Sequence, residues 1–290
     1  MPYLYLLGSV FLAASTSIFG GFYNRKNDGK KGTSSFYNFL ILSSVFIGWL
    51  IIFLFDRALE MAVLPYSLLF SVCYTACAIG TIYALKTGPV LLTSLMMQLS
   101  LIGVALWGFI FWNQTPQWWT WLGLGLVAVA LWLCLNSGKK ESEDNKLSWQ
   151  WFVSVAAMFF GNAGCSIVQK TQQMEFDGQY GSFLMLIAMA ISVIVCFVLY
   201  MRDDRSESKE IFVSSWYYPV VAGVANVLLN VAVMKMATSE LSPSVIYPVL
   251  AVGSLIITTV FSTVAFKEKM RWWQWLGVGV GMVATAILSI

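Results

Sequence analysis

The chain has 290 residues, of which 59% are hydrophobic and only 11% charged, with 17 Lys and Arg, 14 Asp and Glu and no histidine. Soluble domains carry about 25% charged residues, so this balance excludes an ordinary soluble protein and points to a bilayer. The net charge of +3 sits in loops, and no nucleic-acid partner is expected from it.

Apolar runs of near twenty residues alternate with short polar stretches, and about twenty such residues cross a hydrocarbon core of roughly 30 Å. Ten spans are read, over 3–23, 35–55, 63–85, 88–112, 117–136, 149–170, 180–201, 213–237, 241–266 and 271–290. A backbone in lipid satisfies its own hydrogen bonds, which makes these helices. A barrel would show strands of about ten residues alternating polar and apolar, and the run 122–135 does not alternate. The first span is too long for a signal peptide and too well matched to a later one. The polar stretches 138–146 and 202–210 are expected to be plain loops. Cys73, Cys77, Cys134, Cys165 and Cys196 all lie inside spans, as small apolar residues without disulfides.

The chain is internally duplicated. Trp118-Trp119-Thr120-Trp121-Leu122-Gly123 returns as Trp272-Trp273-Gln274-Trp275-Leu276-Gly277, and eight of thirteen positions from 118 to 130 match at an offset of 154. The same offset puts Ser100-Leu101-Ile102 on Ser254-Leu255-Ile256, Pro89 on Pro243 and Pro65 on Pro219. Earlier spans match more weakly. Asp28-Gly29 falls on Asp177-Gly178 at 149, and Ser35-Phe36 on Ser182-Phe183 and Asp56 on Asp203 at 147. The expected organisation is a first five-helix repeat over 1–137, a connecting loop over 138–148 and a second repeat over 149–290. An odd number of crossings inverts the second copy, a recurring plan of secondary transporters.

Fourteen of the seventeen basic residues fall on the side of the first loop, and only Arg57, Lys170 and Lys235 on the other. Basic loops stay in the cytoplasm, which sets both termini outside and suggests the cytoplasmic membrane of a bacterium.

The chain resembles the EamA-like branch of the drug/metabolite transporter superfamily. Leu85-Lys86-Thr87-Gly88-Pro89 and Thr238-Ser239-Glu240-Leu241-Ser242-Pro243 are similar to that family's turn between its third and fourth helices. Phe266-Lys267-Glu268-Lys269 before Trp275-Leu276-Gly277 resembles its Gly-Glu turn, with Lys267 in place of the usual Gly. The resemblance implies an all-helical membrane protein of ten helices in two inverted five-helix repeats. It also implies a central cavity ringed by the first, third, fourth, sixth, eighth and ninth helices. The fifth and tenth would be scaffold or a homodimer contact. Many relatives are thought to keep both termini in the cytoplasm, the reverse of the charge reading here. Gly123, Gly125, Gly277, Gly279 and Gly281 on the fifth and tenth spans suit close helix approach.

All fourteen carboxylates lie in loops or at span ends. Proton-coupled carriers usually place Asp, Glu or His in the membrane, so a buried-carboxylate relay is not expected. The mid-membrane groups are neutral. Asn226 and Asn230 share a face of the eighth span, and Asn162, Ser166 and Gln169 a face of the sixth. Ser94 and Gln98 pair in the fourth, Tyr74 lies in the third and Tyr247 in the ninth beside Pro248. Trp49 lies deep in the second span; with Trp107, Tyr74 and Tyr247 it offers a cation–π site. Buried amides must meet one another or water. They serve either as packing contacts or as the lining of a cavity, and the set together is read as substrate-binding. Lys86, Lys235 and Glu240 at span ends are either snorkelling residues or charged gates. Most tryptophans, Trp149 and Trp151 among them, sit at span ends as an interfacial belt.

The reading is a secondary transporter of a small polar organic metabolite, neutral or zwitterionic, in which the halves rock about a central site. Export of organic or quaternary cations held by aromatics is the alternative, and a non-transporting sensor or scaffold the reading from another class. No nucleophile with a base, phosphate loop or metal cluster is present, so neither an enzyme nor a cofactor is expected. The partners are a small-molecule substrate and the lipid bilayer.

Overall fold

A computed structural model describes residues 2–87, 90–113, 115–135, 149–265 and 272–288. Their regular structure is all helical: α1 (Pro2–Lys26), α2 (Thr33–Asp56), a 3-10 turn (Met61–Val63), α3 (Leu64–Thr87), α4 (Val90–Phe111), α5 (Trp118–Leu135), α6 (Trp149–Glu175), α7 (Gly181–Arg202), α8 (Ser208–Ser215), α9 (Tyr217–Ala237), α10 (Pro243–Ala265) and α11 (Trp272–Leu288). Among the described residues seven helices are long and apolar enough to cross a membrane. The stretches Leu99–Phe111, Trp118–Leu133 and Trp275–Leu288 within α4, α5 and α11 are apolar but shorter. Exposed Leu4, Phe55, Ile110 and Val264 are what a lipid-facing surface looks like, since acyl chains are as apolar as leucine. The chain is an integral membrane protein.

Three expectations need correcting, two here and one at Trp151 below. The eighth span does not begin at 213. Trp216 separates α8 from α9, and the segment expected to be a plain loop over 202–210 contains the start of α8. Its turn is anchored by acidic side chains that bind the basic loop after α1, as described below. The sixth span also runs past 170 to Glu175. Lys170, expected at a membrane end, is instead buried in α6, its ammonium 3.1 Å from the Ala237 carbonyl oxygen at the end of α9. The stretch 138–146 lies outside the described residues.

The helices gather into two compact units. Each takes helices from both sequence copies, and α3 and α6 contribute to each. The first comprises Met1–Ser71 and Val168–Thr238, the second Val72–Ile167 and Ser239–Ile290.

In the first unit α1 packs on α9, and α2 packs on α7 and α9. The α2–α9 seam closes on small residues: a Cβ at Gly223 would lie 2.6 Å from the Ser44 Cβ. The core holds Trp49, Tyr23, Leu184, Met185, Met189, Ile211 and Met236. α2 starts after Gly32, whose φ of 67° lies in the left-handed region that L side chains avoid. A Cβ there would also sit 2.2 Å from the Asp204 carbonyl oxygen.

In the second unit α5 lies along α11 and α10 along α4. Val127, Leu131, Val252, Ala284 and Leu288 form one core cluster, and Ala84, Trp151, Val155 and Met158 another. Gly281 meets Val252 and Ile256, and Gly123 meets Leu288, whereas Gly125 and Gly279 face open space. The α3–α6 crossing is tighter still, since a Cβ at Gly161 would lie 2.5 Å from the Cys73 carbonyl oxygen. Trp151, expected in an interfacial belt, is buried here and donates from Nε1 to the Thr93 hydroxyl at 3.1 Å. A buried indole N–H usually finds a partner, and Thr93 supplies one here.

Candidate functional site

The first unit holds a run of linked amides. Asn226 and Asn230 lie one turn apart on α9. The Asn230 Nδ2 donates to the Asn226 Oδ1 at 3.0 Å and to the Asn226 carbonyl at 2.9 Å. From α6, the Gln169 Nε2 donates to the Asn230 Oδ1 at 3.1 Å. Gln169 is buried and both asparagines are half-buried. The array ends on the Asn226 amide nitrogen, which has no partner among the described residues. A membrane-spanning helix carries such a donor only beside another polar group or water.

One turn further along α6 the polar character deepens. Lys170, Gln172 and Gln173 are all buried. Gln172 donates to the Gln179 carbonyl at 2.9 Å, and Gln173 to the Gln172 side chain at 2.6 Å. Lys170, placed against the last carbonyl of α9, meets both an unpaired acceptor and the negative end of that helix. Among the described residues every other buried polar side chain is neutral.

Above this collar lies a cleft of about 520 Å³, bounded by α2, the α6–α7 turn and the end of α9. Trp49 lines it, with Asp56, Asp177, Ser182, Lys235 and Thr238. The turn that carries Asp177 is held left-handed at Asp177, Gly178 and Tyr180. The Lys235 ammonium stands 5.4 Å from the centre of the Tyr5 ring. Trp49 is 1% exposed, and its indole nitrogen has no hydrogen-bond partner among the described residues. Nearby, the Tyr66 hydroxyl donates to the Glu175 carboxylate.

Both ends of this unit carry the same contact. Ser182, in the first turn of α7, donates to Asp56, in the last turn of α2, at 2.5 Å. Ser35, in the first turn of α2, donates at 2.6 Å to Asp203, just past α7. α2 and α7 are therefore antiparallel, and the contact occurs twice with the roles of the helices exchanged. These are the residues paired by the 147-residue offset. Gly29 and Gly178, paired at 149, share a φ of 78°. The weak matches of the early spans thus have a geometric basis.

The end with the basic loop is closed by further contacts. Lys30 pairs with Glu210 at 2.7 Å and Lys31 with Asp204 at 3.3 Å, while the Lys31 backbone N–H donates to Glu207 at 2.7 Å. Lys26 donates to the Ser214 carbonyl at 2.6 Å, and Asn27 to the Ser215 hydroxyl at 3.0 Å. The Asp204 carboxyl is held down at about 2 by the Ser206 backbone N–H, then the Ser206 hydroxyl and Lys31.

The remaining sequence-predicted residues lie in the second unit. Asn162 donates to the Ser100 hydroxyl at 2.7 Å, and the Tyr247 hydroxyl to the Ser166 carbonyl at 3.3 Å. Tyr247 is buried and Tyr74 half-buried. Glu240 is exposed in the turn before α10. Trp107 stacks on Phe111 with ring centres 3.9 Å apart. The side chains of Lys86, Ser94 and Gln98 lie outside the described residues, as does Pro89. Of the predicted set, the structure brings together Gln169, Asn226 and Asn230 as one array, with Trp49 and Lys235 in the adjoining cleft.

Sequence reasoning passed over Asp56, Asp177, Ser182, Lys170, Gln172 and Gln173 as site residues. The signal was present in the run Gln169-Lys170-Thr171-Gln172-Gln173, too polar to be the end of an ordinary span, and in the offset pairs Ser35/Ser182 and Asp56/Asp203.

Comparison with known proteins gives a family and a fold. The model of the EamA-like transporter family matches residues 1–136 and again 147–290. No curated protein matches the chain. Twenty-eight chains of solved structures do. One of them, described only as "Crystal structure of protein", is 11% identical. The match covers 99% of this chain and 95% of that one, with a TM-score of 0.74. At that identity the likeness is one of fold.

Proposed function

This chain belongs to the EamA-like transporter family, and on that premise we propose that it carries a small polar organic metabolite, neutral or zwitterionic, by alternating access. The observation that carries the reading is the amide array Gln169–Asn230–Asn226 inside membrane-spanning α6 and α9. An amide offers donors and an acceptor on one group, which suits hydroxyl, amide, carboxylate or ammonium groups better than a hydrophobic ligand. The buried side chains supply no carboxylate among the described residues, so the cycle assigned here is uniport or exchange rather than a carboxylate proton relay. The basic loops are assigned to the cytoplasmic face of the membrane, with both termini outside. A reporter fused to the C-terminus and active only outside the cell tests that orientation.

Thermal shift of the purified protein against a library of polar metabolites tests the substrate class. A specific shift in the wild type that is absent in Asn226→Ala supports the reading. If quaternary amines shift the protein and no polar metabolite does, the chain is a cation exporter instead. If no compound in either class shifts it, and Asn226→Ala merely melts lower, the amides are packing contacts in a protein that does not transport.

A further inference from the structure

The cleft beside the amide array has a composition that its counterpart at the other end of the first unit lacks. At the basic end, acids meet bases: Asp204 and Glu210 take Lys31 and Lys30. At the opposite end the repeat keeps the acid but puts Gln179 and Tyr180 where that loop has Lys30 and Lys31. Asp28-Gly29 corresponds to Asp177-Gly178, so Asp177 enters the same cleft as Asp56, the counterpart of Asp203. Lys235 is the one basic residue of the lining, and its ammonium lies over the Tyr5 ring. The two carboxylates therefore outnumber the cation. Ser182 occupies one oxygen of Asp56, and a carboxylate has about four acceptor positions, so capacity is left over.

A second observation is independent of charge. Trp49 lines the cleft and is 1% exposed, yet among the described residues its Nε1 has no partner. An indole nitrogen can only donate, and a buried donor without an acceptor is destabilising. Among the described residues one other buried side-chain polar atom, the Ser208 hydroxyl, is in that state. Trp49 lies seven residues before Asp56 on α2, which sets its backbone about 10 Å deeper along the helix axis. The cleft thus offers carboxylates at its mouth and, deeper along α2, an indole N–H left over among the described residues. Its volume of about 520 Å³ falls within the roughly 300–1,000 Å³ of small-molecule sites.

We propose that this cleft binds an elongated organic ammonium compound whose far end carries a hydrogen-bond acceptor. The ammonium faces Asp56 and Asp177, and the acceptor takes the Trp49 N–H. The proposal rests on the transport reading for its physiological role and narrows that reading's substrate class. The same chemistry is presented by a soluble amine or by the ethanolamine headgroup of a lipid.

The test uses the full chain in nanodiscs of phosphatidylglycerol, which has no ammonium. Glycine, 4-aminobutanoate and 6-aminohexanoate, each with its N-acetylated counterpart, are titrated by isothermal calorimetry and thermal shift. Binding that strengthens with chain length and vanishes on acetylation is the expected result. Asp177→Asn weakens it roughly tenfold or more, the cost of losing a charged partner. Trp49→Phe weakens it about two- to tenfold, as one neutral hydrogen bond, measured below the variant's own melting temperature, which the lost core volume lowers. Hexylamine, which has the ammonium without the acceptor, should bind the wild type and Trp49→Phe alike, and that comparison separates a ligand role from a structural one. Trp107→Phe, outside the cleft, leaves binding intact. A shift produced only when phosphatidylethanolamine replaces phosphatidylglycerol, and lost in Asp177→Asn, supports the site with a lipid occupant. No binding by any amine or lipid, or binding indifferent to Asp177→Asn and Trp49→Phe, overturns it. The readout is binding alone. Cleft-dependent binding without transport contradicts only the transport reading, and transport without cleft-dependent binding contradicts only this one.

Discussion

The two ends of the first unit begin from one design and finish differently. At each end a serine in the first turn of one helix donates to an aspartate at the close of its antiparallel neighbour, Ser35 to Asp203 and Ser182 to Asp56. Duplication with inversion delivers that latch twice. Around it, the basic end adds α8 and the pairs Lys30–Glu210 and Lys31–Asp204. The opposite end has only the short turn Met61–Val63 in the corresponding connection, and a cleft opens there. Inherited symmetry supplies the frame, and divergence in the connections decides which end is sealed.

The sharpest way to break the closed end is Gly32→Ala. A Cβ would combine left-handed strain of about 1–3 kcal/mol with a 2.2 Å approach to the Asp204 carbonyl. The largest drop in melting temperature is expected there. Gly178→Ala at the open end shares the strain, with φ 78°, but its nearest neighbour is the flexible Thr238 Cγ2 at 3.3 Å, so its drop is smaller. Equal drops would show that the loop after α1 is not clamped.

The latches come next. Ser182→Ala removes a buried donor from Asp56, whose carboxylate is itself exposed to water, costing about 1–1.5 kcal/mol. Ser35→Ala removes a half-buried donor from the equally exposed Asp203 and costs less, about 0.5–1 kcal/mol. Denaturation in detergent measures both, and a larger cost at Ser35 would reverse the ranking.

How much of this could be read in advance depends on what burial does to each residue type. An all-helical membrane fold was legible because lipid imposes length and hydropathy on a span, although among the described residues seven helices meet both measures where ten spans were expected. The i, i+4 pair Asn226 and Asn230 was legible because one helix fixes its geometry; the structure bonds them directly. Gln169 joining them could not be read, since it depends on how α6 packs against α9. Lys170 was misplaced because hydropathy ends a span at the first charge, whereas a lysine can stay inside when the last carbonyl of α9 receives it. α8 was missed because its eight residues, SKEIFVSS, are held by contacts to a distant loop rather than by apolar periodicity. Trp151 went to the membrane interface on residue type alone, while Thr93 gives its N–H a partner inside.

Smaller effects sharpen the contrast at the closed end. Glu210→Gln removes the pair to Lys30, in which Glu210 is 71% exposed, and should cost no more than about 1 kcal/mol. High salt should shrink the difference. Acid should act there as well. The Asp204 carboxyl is depressed to about 2, against about 3.9 in an unfolded chain. A depressed carboxyl stabilises the fold above its unfolded value, and that contribution falls away as pH drops from about 4 through about 2. Hydrogen exchange of the backbone over 27–32 should rise in that window, and an unchanged rate would remove Asp204 from the clamp.

The most direct test of the central claim is uptake into proteoliposomes of the polar metabolite that shifts the wild-type protein, with Asn230→Ala alongside. Breaking the amide array removes the acceptor that holds Gln169 and the donor that holds Asn226. The wild type should accumulate the compound, and the folded variant should do so about tenfold more slowly, in line with one to two lost hydrogen bonds. Wild-type rates in Asn230→Ala, or movement of quaternary amines alone, would contradict a polar-metabolite carrier built on these amides.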